Sequence, residues 1–397
     1  MNARRPSLDV AVVGGGMVGA ACALALARRG FAVALLEARE PAPWRADAPE
    51  DLRVIALAPS SARLLDELGV WRDIVAARVS PYGRMCVWDG ASGAELTFDA
   101  TRDGRAQLGW IVENRLVTRV LWEALEAAGV RRMCPAHVAS FAQRDARVTL
   151  ELGGGENLSA ALLVVADGAG SALREQAGIG VRGRDYHQRA VVAHVASERA
   201  HAQTAWQRFT PEGPIALLPL ADGRSSIVWS LPEARAREVL ALDDAAFLAA
   251  AGMASDFRLG AFTATTPRAS FPLRLQVAER FVAGGCVLVG DAAHVVHPLA
   301  GQGANLGLRD VAELADGLGE ARAAGRDFAA AHVLRRYARR RRSAGALDAY
   351  AFDAIERAFA WQAPGWSALR GLGLRALDMI TPLNRRLAAH AAGRAGV

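Results

Sequence analysis

Short apolar runs alternate along the chain with longer stretches of helical periodicity. Near the N-terminus, the apolar run Leu8–Val13 precedes a helical stretch, Met17–Arg29, which a second apolar run, Phe31–Leu36, follows. Largely apolar runs of this length beside a helix are typical of strands buried in a parallel sheet. Two later stretches, Leu162–Glu175 and Val287–Asp310, begin with runs of the same kind. The pattern predicts an α/β protein.

The middle of the chain has a different pattern. The segments "QTAWQRF", "GPIALLPL" and "RSSIVWSL" are short and separated by turn sequences at Pro211–Gly213 and Asp222–Gly223. Strand-length segments joined by such turns predict consecutive strands of a second sheet, mixed or antiparallel. The segment "QRAVVA" between His187 and His194 predicts another strand of that sheet, and "RASFPLRLQVA", Arg268–Ala278, predicts the return to the first region.

Composition is that of a globular protein large enough for two domains, or for one with a long insertion. All 47 basic residues are arginine, and the net charge is +6. From Arg335 onward, twelve arginines face four acidic residues, so this segment alone carries +8. We attribute the arginine content to genome composition and predict no nucleic-acid partner. The basic C-terminal segment faces anionic lipid or an acidic partner, or is a solvated helix face.

Cysteine spacing bears on compartment and metal binding. The four cysteines lie far apart, without a C-x-x-C pair, which predicts reduced thiols and neither a disulfide framework nor a zinc site. The uncharged run Val10–Ala27 has the length of a signal peptide or membrane span, but the consecutive glycines Gly14–Gly16 argue against both. We therefore expect a cytoplasmic protein.

A glycine motif follows the first predicted strand. Gly14, Gly16 and Gly19 match G-x-G-x-x-G at a strand-to-helix turn, and Glu37 ends the next strand. The first glycine permits the tight turn, the second lets a pyrophosphate approach the backbone, and the third lets helix and strand pack closely. Glu37 is then placed to bind adenosine ribose hydroxyls. The motif predicts a dinucleotide site and leaves NAD and FAD as alternatives.

Three further stretches resemble a known family. "LLVVADGAGSALRE", "VLVGDAAHVVHPLAGQGANLGLRD" and "DLRVIALAPSSARLLDELGVW" are similar to motifs of the single-component flavin aromatic hydroxylases of the para-hydroxybenzoate hydroxylase type. Within that group, "HPLAGQGANLGLRD" looks like the signature of the ubiquinone-biosynthesis hydroxylases. The resemblance extends from Val10 to about Arg394 and is loose over residues 197–273.

The resemblance implies FAD as the cofactor and assigns roles to residues of these stretches. Asp291 would bind the ribityl hydroxyls, Arg53 would lie beside the pyrophosphate or the mobile flavin, and Asp167 with Arg174 would support the flavin and the path of the reductant. Small residues would lie against the flavin ring, and the start of the following helix would direct its N–H groups at the ring's reactive edge. These residues are Gly301, Gly303, Ala304, Asn305 and Gly307.

The flavin-side loop also supplies the catalytic candidates, His297 and Pro298. Either His294 or His297 would line the active site or take a proton from a phenolic substrate; the alternative is a loop histidine bonded to backbone. A second nucleotide-binding glycine motif is lacking, so the resemblance implies that NAD(P)H docks transiently as electron donor. No His, Asp and Glu cluster has metal-ligand spacing, which predicts no metal.

The predicted architecture is α/β with an α+β second domain. A Rossmann-like FAD-binding domain comprises residues 1–78, 105–182 and 272–335, and an inserted mixed or antiparallel sheet forms a substrate domain from 79–104 and 183–271. Residues 336–397 form a C-terminal helical segment. The substrate is expected between the second sheet and the flavin.

The predicted function is FAD-dependent hydroxylation of an aromatic ring with O2, on a polyprenylated phenol or quinol of ubiquinone biosynthesis. The alternatives are a soluble-substrate aromatic hydroxylase, an isoprenoid FAD reductase and a non-catalytic flavoprotein scaffold of a biosynthetic complex. Near the C-terminus, Trp366, Leu369, Gly373, Leu377 and Ile380 fall at helical spacing. The flanking arginines are Arg370, Arg375, Arg385 and Arg386. This pattern predicts either peripheral binding at the cytoplasmic face of the inner membrane or packing onto the core.

Overall fold

The computed structural model describes residues 8–144, 146–296, 303–361, 366 and 369–373. Within them, helices and strands alternate along most of the chain. The helices are α1 (Met17–Arg28), α2 (Pro59–Glu67), α3 (Trp71–Ala77), α4 (Asn114–Ala127), α5 (Ala172–Gln176), α6 (Glu233–Ala241), α7 (Asp244–Ala254), α8 (Gly303–Ala323) and α9 (Ala331–Ala360).

The strands form three sheets. In chain order they are β1 (Leu8–Val13), β2 (Val33–Leu36), β3 (Val54–Leu57), β4 (Ser80–Tyr82), β5 (Arg84–Asp89), β6 (Glu95–Asp99), β7 (Gly109–Glu113), β8 (Arg131–Met133), β9 (Val138–Arg144), β10 (Arg147–Leu152), β11 (Asn157–Val165), β12 (Val181–Ser197), β13 (Thr204–Thr210), β14 (Gly213–Pro219), β15 (Ser225–Pro232), β16 (Phe262–Thr265), β17 (Ala269–Ala278), β18 (Val282–Ala283), β19 (Cys286–Leu288) and β20 (His294–Val295).

The first sheet contains the strands predicted from the apolar runs. Its order is β18-β19-β11-β1-β2-β8, with β10 and β9 continuing from β11. Strand β1 pairs in parallel with β2 and β11, and β11 pairs in parallel with β19. The strand residues Val12, Leu35 and Val164 are fully buried, as both-sided burial of a parallel sheet requires. The first helix ends one residue earlier than the periodicity predicts, and β2 begins at Val33.

The second sheet has nine strands in the order β20-β17-β12-β15-β14-β13-β5-β6, with β16 on β12. The three middle segments are β13, β14 and β15, paired antiparallel as predicted. The β5–β13 pair is parallel, so the sheet is mixed. Strand β17 pairs along β12, and its last residues pack in the core of the first sheet, which returns the chain to that region.

The two faces of the second sheet have different surroundings. One face, with Val191, Ile227 and Trp229, packs in a core to which α6 and α7 contribute. The opposite face, here called the inner face, contacts the three-stranded sheet β3-β7-β4, where Ala56 and Ile111 join one apolar cluster. Helix α9 also contacts β13 and β14. The inner face therefore lies toward the rest of the molecule.

The C-terminal part packs on the second sheet as far as it is described. Phe359 of α9 stacks on Phe209 with ring centroids 3.8 Å apart. Arg370 forms an ion pair with Asp89 at 2.8 Å and donates to the Ala358 carbonyl oxygen, so this predicted lipid-facing arginine is engaged with protein. Leu377, Ile380 and the remaining arginines of the predicted face lie outside the described residues. None of the helices searched in the described part has the length and apolar character needed to cross a membrane. The three-part domain division stays a prediction.

Candidate functional site

The glycine motif forms a tight turn between β1 and α1. Gly14 has φ of +102°, and a Cβ there would lie 2.3 Å from the Ala166 carbonyl oxygen. A Cβ at Gly19 would lie 1.9 Å from the Gly14 carbonyl oxygen. At Gly16, by contrast, no atom of the described residues lies within 4 Å of that position, and no described side chain caps the helix. The first and third glycines permit close packing, while the second leaves open space beside free N–H groups.

Glu37 lies directly against this turn. Its carboxylate accepts hydrogen bonds from the Gly15 N–H and, at 3.0 Å, from the Arg39 N–H. The side chain is half-buried, so one face of the carboxylate remains open to a ligand. The structure therefore brings Gly14, Gly16 and Glu37 together at the carboxyl end of β1 and β2, as predicted.

The Asp167 stretch lies at the end of β11, beside β1. The pKa of the Asp167 carboxyl is raised, chiefly because the surrounding protein desolvates it, and a hydrogen bond with Ser171 opposes that shift. Arg174 is buried, and its guanidinium donates to the carbonyl oxygens of Ala169 at 2.8 Å and Ala292 at 3.4 Å. Arg174 therefore joins two of the predicted flavin-binding stretches, and its Nε has no hydrogen-bond partner among the residues described.

The third stretch turns sharply after β19. Gly290 has φ of +62°, and Asp291 is exposed. Among the residues that the structure describes, no donor reaches the Asp291 carboxylate. A Cβ at Gly307 would lie 2.6 Å from a methyl group of Val18, so α8 packs tightly against the start of α1. An unpaired, exposed carboxylate at this turn fits the predicted contact with ribityl hydroxyls.

The start of helix α8 lies beside the loop after β3. No described residue lies within 4 Å of a Cβ built at Gly303, and Ala304 is half-buried. Asn305 is fully buried: its Oδ1 accepts from the Ala58 N–H at 2.8 Å and its Nδ2 donates to the Ala56 carbonyl oxygen at 2.7 Å. The predicted cofactor residue Asn305 thus uses its side chain to join α8 to β3.

Not every predicted residue joins this constellation. His297, Pro298 and Gly301 lie outside the described residues. Arg53 directly precedes β3 and has an exposed side chain, while its carbonyl oxygen accepts from the Asn114 N–H. His294 is buried, and its Nε2 lies 2.7 Å from the Asp310 carboxylate. This differs from the expected backbone-bonded or site-lining histidine.

The inner face supplies a wall of small side chains. Directly paired residues on neighbouring strands share a face, and the pairs run from Val192 through Val228 and Ala216 to Gln207. Asn305 ties the start of α8 to β3, which packs on the same face, while Phe359 packs at its other end. The wall therefore lies on the side of the second sheet that faces the predicted flavin helix.

A polar pair adjoins this wall. His194 and Ser226 are directly opposite in the β12–β15 pair, and in the described part of the chain neither ring nitrogen of His194 nor the Ser226 hydroxyl has a hydrogen-bond partner. His194 Nδ1 lies 3.9 Å from Glu50 Oε2. Burial, followed by the charge of Arg224, lowers the pKa of His194 to about 4, so the imidazole is neutral at pH 7. Burial raises the pKa of the Glu50 carboxyl.

Sequence reasoning missed the contacts of three residues. Arg174 joins the Ala169 and Ala292 carbonyl oxygens, and Asp310 and Arg341 form their contacts beneath the Gly290 turn. Asp310 ends the quoted motif, so its position was visible but its partner was not. Arg341 lies in a run of arginines that carries no positional signal. Within the described part of the chain, no group of three or more His, Cys, Asp or Glu side chains is arranged to hold a metal ion.

The open glycine turn, the exposed Asp291 carboxylate and the second sheet are compatible with a bound dinucleotide. The fold is that of the FAD-dependent monooxygenases. Solved structures agree: the chain superposes on p-nitrophenol 4-monooxygenase PnpA of Pseudomonas putida DLL-E4 with a TM-score of 0.77 at 20% identity, covering 98% of this chain and 99% of that one. For Klebsiella pneumoniae HpxO complexed with FAD and uric acid, the TM-score is 0.75 at 20% identity, with 99% and 98% covered.

Sequence comparison identifies the family. A family model described as an FAD binding domain matches residues 7–348, and the chain belongs to that family. It is 41% identical to the 3-demethoxyubiquinol 3-hydroxylase of Escherichia coli (strain K12), with 97% of this chain and 98% of that protein covered. Identity to the Homo sapiens ubiquinone biosynthesis monooxygenase COQ6, mitochondrial, is 34%, with 96% and 92% covered. The predicted family, FAD and the monooxygenase class are confirmed; the individual site residues stay predictions.

Proposed function

We propose that this FAD-dependent monooxygenase hydroxylates the aromatic ring of a polyprenylated phenol or quinol in ubiquinone biosynthesis. The observation that carries the proposal is the 41% identity to a 3-demethoxyubiquinol 3-hydroxylase over 97% of the chain. FAD, when bound, supplies the activation of O2, and NAD(P)H is the proposed transient electron donor. The chain's own residues bind the cofactor, orient the ring and exclude water.

The proposed FAD contacts follow the geometry of the three stretches. The N–H groups at the start of α1 bind the pyrophosphate in the open space at Gly16, and Glu37 accepts from the adenosine ribose. Asp291 accepts from the ribityl hydroxyls. Further contacts are assigned to Gly14, Gly19, Arg53, Asp167, Gly301, Gly303, Ala304 and Asn305. His297 and Pro298 are retained as the catalytic candidates.

We place the substrate ring against the inner face. Val192, Val228 and Ala216 are uncharged and apolar, while Gln207 offers a polar group to a ring oxygen. A row of apolar side chains suits a substituted, hydrophobic quinol better than an anionic benzoate, since none of these four residues is a cation. If the ring packs here, Ala216→Phe is expected to obstruct it and raise KM for the quinol without loss of FAD.

Product analysis tests the proposed function. Purified holoenzyme is incubated with NADH or NADPH, O2 and a short-chain prenylphenol, and products are identified by mass and ring substitution. We expect one added oxygen on the ring, coupled to NAD(P)H oxidation. Addition of two hydrogens to the prenyl chain would indicate an isoprenoid reductase, equal turnover of unprenylated phenols a soluble-substrate hydroxylase, and absence of turnover with every donor a scaffold.

We also propose peripheral contact with anionic membrane through the C-terminal segment. Trp361, Leu369 and Leu372 are 58–64% exposed, which is unusual for large apolar side chains, and they lie within a basic segment. Arg370 does not contribute, because it is paired with Asp89. A protein partner in a biosynthetic complex is the alternative occupant.

Liposome flotation distinguishes membrane contact from a protein partner. Leu369→Glu with Leu372→Glu is expected to abolish flotation with anionic vesicles at low salt. The matched control is Met253→Glu on α7, since Met253 is 62% exposed but distant in sequence from the basic segment. Failure of the wild-type protein to float, or equal loss in the control, would contradict membrane contact.

A further inference from the structure

A buried charged residue lies beneath the Gly290–Asp291 turn and has no part in the FAD contacts proposed above. Asp310 of α8 is completely buried. Its Oδ2 accepts from the Gly290 N–H at 2.9 Å and lies 2.7 Å from His294 Nε2. Its Oδ1 accepts from Arg341 Nε of α9 at 2.7 Å. One carboxylate therefore joins the turn, α8 and α9.

The carboxylate is ionised despite its burial. Burial opposes ionisation, but the charges and hydrogen bonds of His294 and Arg341 hold the pKa of Asp310 below its usual range. An ionised carboxylate only accepts hydrogen bonds, so His294 Nε2 carries the proton. Removing one donor from a buried carboxylate is costly, because the charge is left without compensation. The group is therefore rigid while its donors are in place.

The turn has little freedom to move independently. A Cβ at Gly290 would lie 3.0 Å from a methyl group of Val18, and the Cβ position at Gly307 lies 3.2 Å from the Gly290 Cα. Asp310 is three residues after Gly307 on α8, so it fastens the turn to the helix where the two elements touch. The orientation of the Asp291 carboxylate thus depends on the bond between Asp310 and Gly290.

We propose that Asp310, held by Arg341 and His294, is a positioning residue for FAD that orients the Gly290–Asp291 turn relative to the N-terminus of α8. Asp310 acts through the Gly290 N–H and does not itself touch the cofactor. The inference rests on the proposed function, specifically on Asp291 as the ribityl ligand. It assigns Arg341 to the cofactor site although this residue lies on a different helix, 50 positions after Asp291.

The competing explanation is that Arg341 merely docks α9 on α8. The chain contains a matched control for that role, because Arg340 pairs with Glu313 at 2.7 Å and joins the same two helices. This pair is exposed, and it makes no contact with the turn among the described residues. Arg341→Met and Arg340→Met each remove one inter-helix ion pair, but only the first removes a donor from Asp310, which then keeps the Gly290 N–H and His294.

The test measures FAD affinity of stripped protein by fluorescence titration, together with thermal unfolding of the apoprotein. Arg341→Met is expected to raise the Kd for FAD roughly ten- to hundredfold, the range seen when outer partners of bound groups are removed at metal sites. Arg340→Met is expected to leave that Kd unchanged. A lower unfolding temperature of Arg341→Met apoprotein with wild-type FAD affinity would overturn the proposal.

A second pair of variants covers the case in which Arg341→Met does not fold. His294→Gln keeps an N–H donor near the Nε2 position, whereas His294→Leu removes it. FAD affinity is expected to be closer to wild type in the first variant; equal affinities would overturn the proposal. Asp291→Ala is measured in parallel. Normal affinity there would defeat the proposed FAD site, while lost affinity there with normal affinity in Arg341→Met would defeat only the positioning role.

Discussion

The two turns proposed to hold FAD are built in different ways. The first, between β1 and α1, is made by close backbone packing: Gly14 contacts the Ala166 carbonyl, Gly19 contacts the Gly14 carbonyl, and Glu37 bonds to the same turn. The second, at Gly290, is held by Asp310, which is itself bonded to a residue of α9. The first turn is specified by steric contact between backbones, the second by a network of charged side chains.

The two turns are expected to respond differently to substitution. Where two backbone segments are in direct contact, there is no room for even one added methyl group. A side chain at Gly14 or Gly19 must therefore displace a strand or a helix. A hydrogen-bonded carboxylate loses its donors one at a time, and the turn can loosen while the fold persists. We therefore expect substitutions at the first turn to affect folding, and substitutions around the second to affect FAD affinity first.

The largest effect is expected from Gly19→Ala. Its Cβ would lie 1.9 Å from the Gly14 carbonyl oxygen, so β1 and α1 must separate. We expect a loss of about 3 kcal/mol or more in the free energy of unfolding, at the upper end of overpacking costs. Urea unfolding of the apoprotein measures it. In the control Gly16→Ala, the added methyl group meets nothing, so stability should persist while FAD affinity falls. Equal stability of both variants would contradict local steric control.

Removal of FAD is expected to have the next largest effect. A ligand at 100 times its Kd stabilises the folded state by about 2.7 kcal/mol, so the apoprotein should unfold correspondingly earlier. Hydrogen exchange then distinguishes the turns. Amide exchange should rise at the uncapped start of α1, whereas the Gly290 N–H stays bonded to Asp310. An equal rise in amide exchange at both turns would show that FAD, and not Asp310, holds the turn at Gly290.

Asp291→Ala is expected to lower FAD affinity without altering the fold. Loss of hydrogen bonds to a charged group corresponds to about 1.5–3 kcal/mol, or roughly ten- to hundredfold in Kd. Because Asp291 is exposed, the free energy of unfolding of the apoprotein should stay within about 0.5 kcal/mol of wild type. The flavin content of purified protein and a titration of the stripped form measure the effect. Full FAD occupancy would exclude Asp291 as a ribityl ligand.

The smallest effect is expected from Ser61→Ala, which tests how the second turn's helix is supported. The Ser61 hydroxyl donates to Asn305 Oδ1 at 2.7 Å in a buried position, and its loss should cost about 1 kcal/mol of unfolding free energy. Ser60→Ala is the control, because its hydroxyl has no hydrogen-bond partner among the described residues. Chemical denaturation of both variants makes the comparison; a larger loss in Ser60→Ala would contradict this account.

Much of the fold was accessible from the sequence, and the reasons differ between elements. Strand β1 matches its prediction at both ends, because a largely apolar run, in which Asp9 is the one charged residue, ends at the glycines. Strand β12 extends over 17 residues where the sequence predicted only its central apolar part. Its first residues are exposed and polar, so their strand conformation depends on pairing with β17 and leaves no local pattern.

The residues of the candidate site were likewise only partly predictable from the sequence. Glycines and strand-end acids are visible in a sequence because backbone geometry and ligand chemistry restrict those positions to few residue types. The partner of a buried acid is not restricted in this way, since any donor that the fold brings near will serve. Arg341 was therefore counted as part of a basic segment, and Asn305 was assigned to the flavin although its side chain bonds to β3.

The sequence by itself indicated the parallel sheet and a glycine turn of the dinucleotide type, because apolar runs and glycine spacing act over a few residues at a time. Its resemblance to a known family supplied FAD. Tertiary structure alone decided which face of the second sheet is free of α6 and α7, which arginine is paired with Asp89, and which residues compensate the charge of Asp310. Each of these features depends on contacts between elements that are distant in the chain. Strand register and helix docking bring those elements together, and the interaction energies depend on pairs of residues that no single stretch of sequence contains.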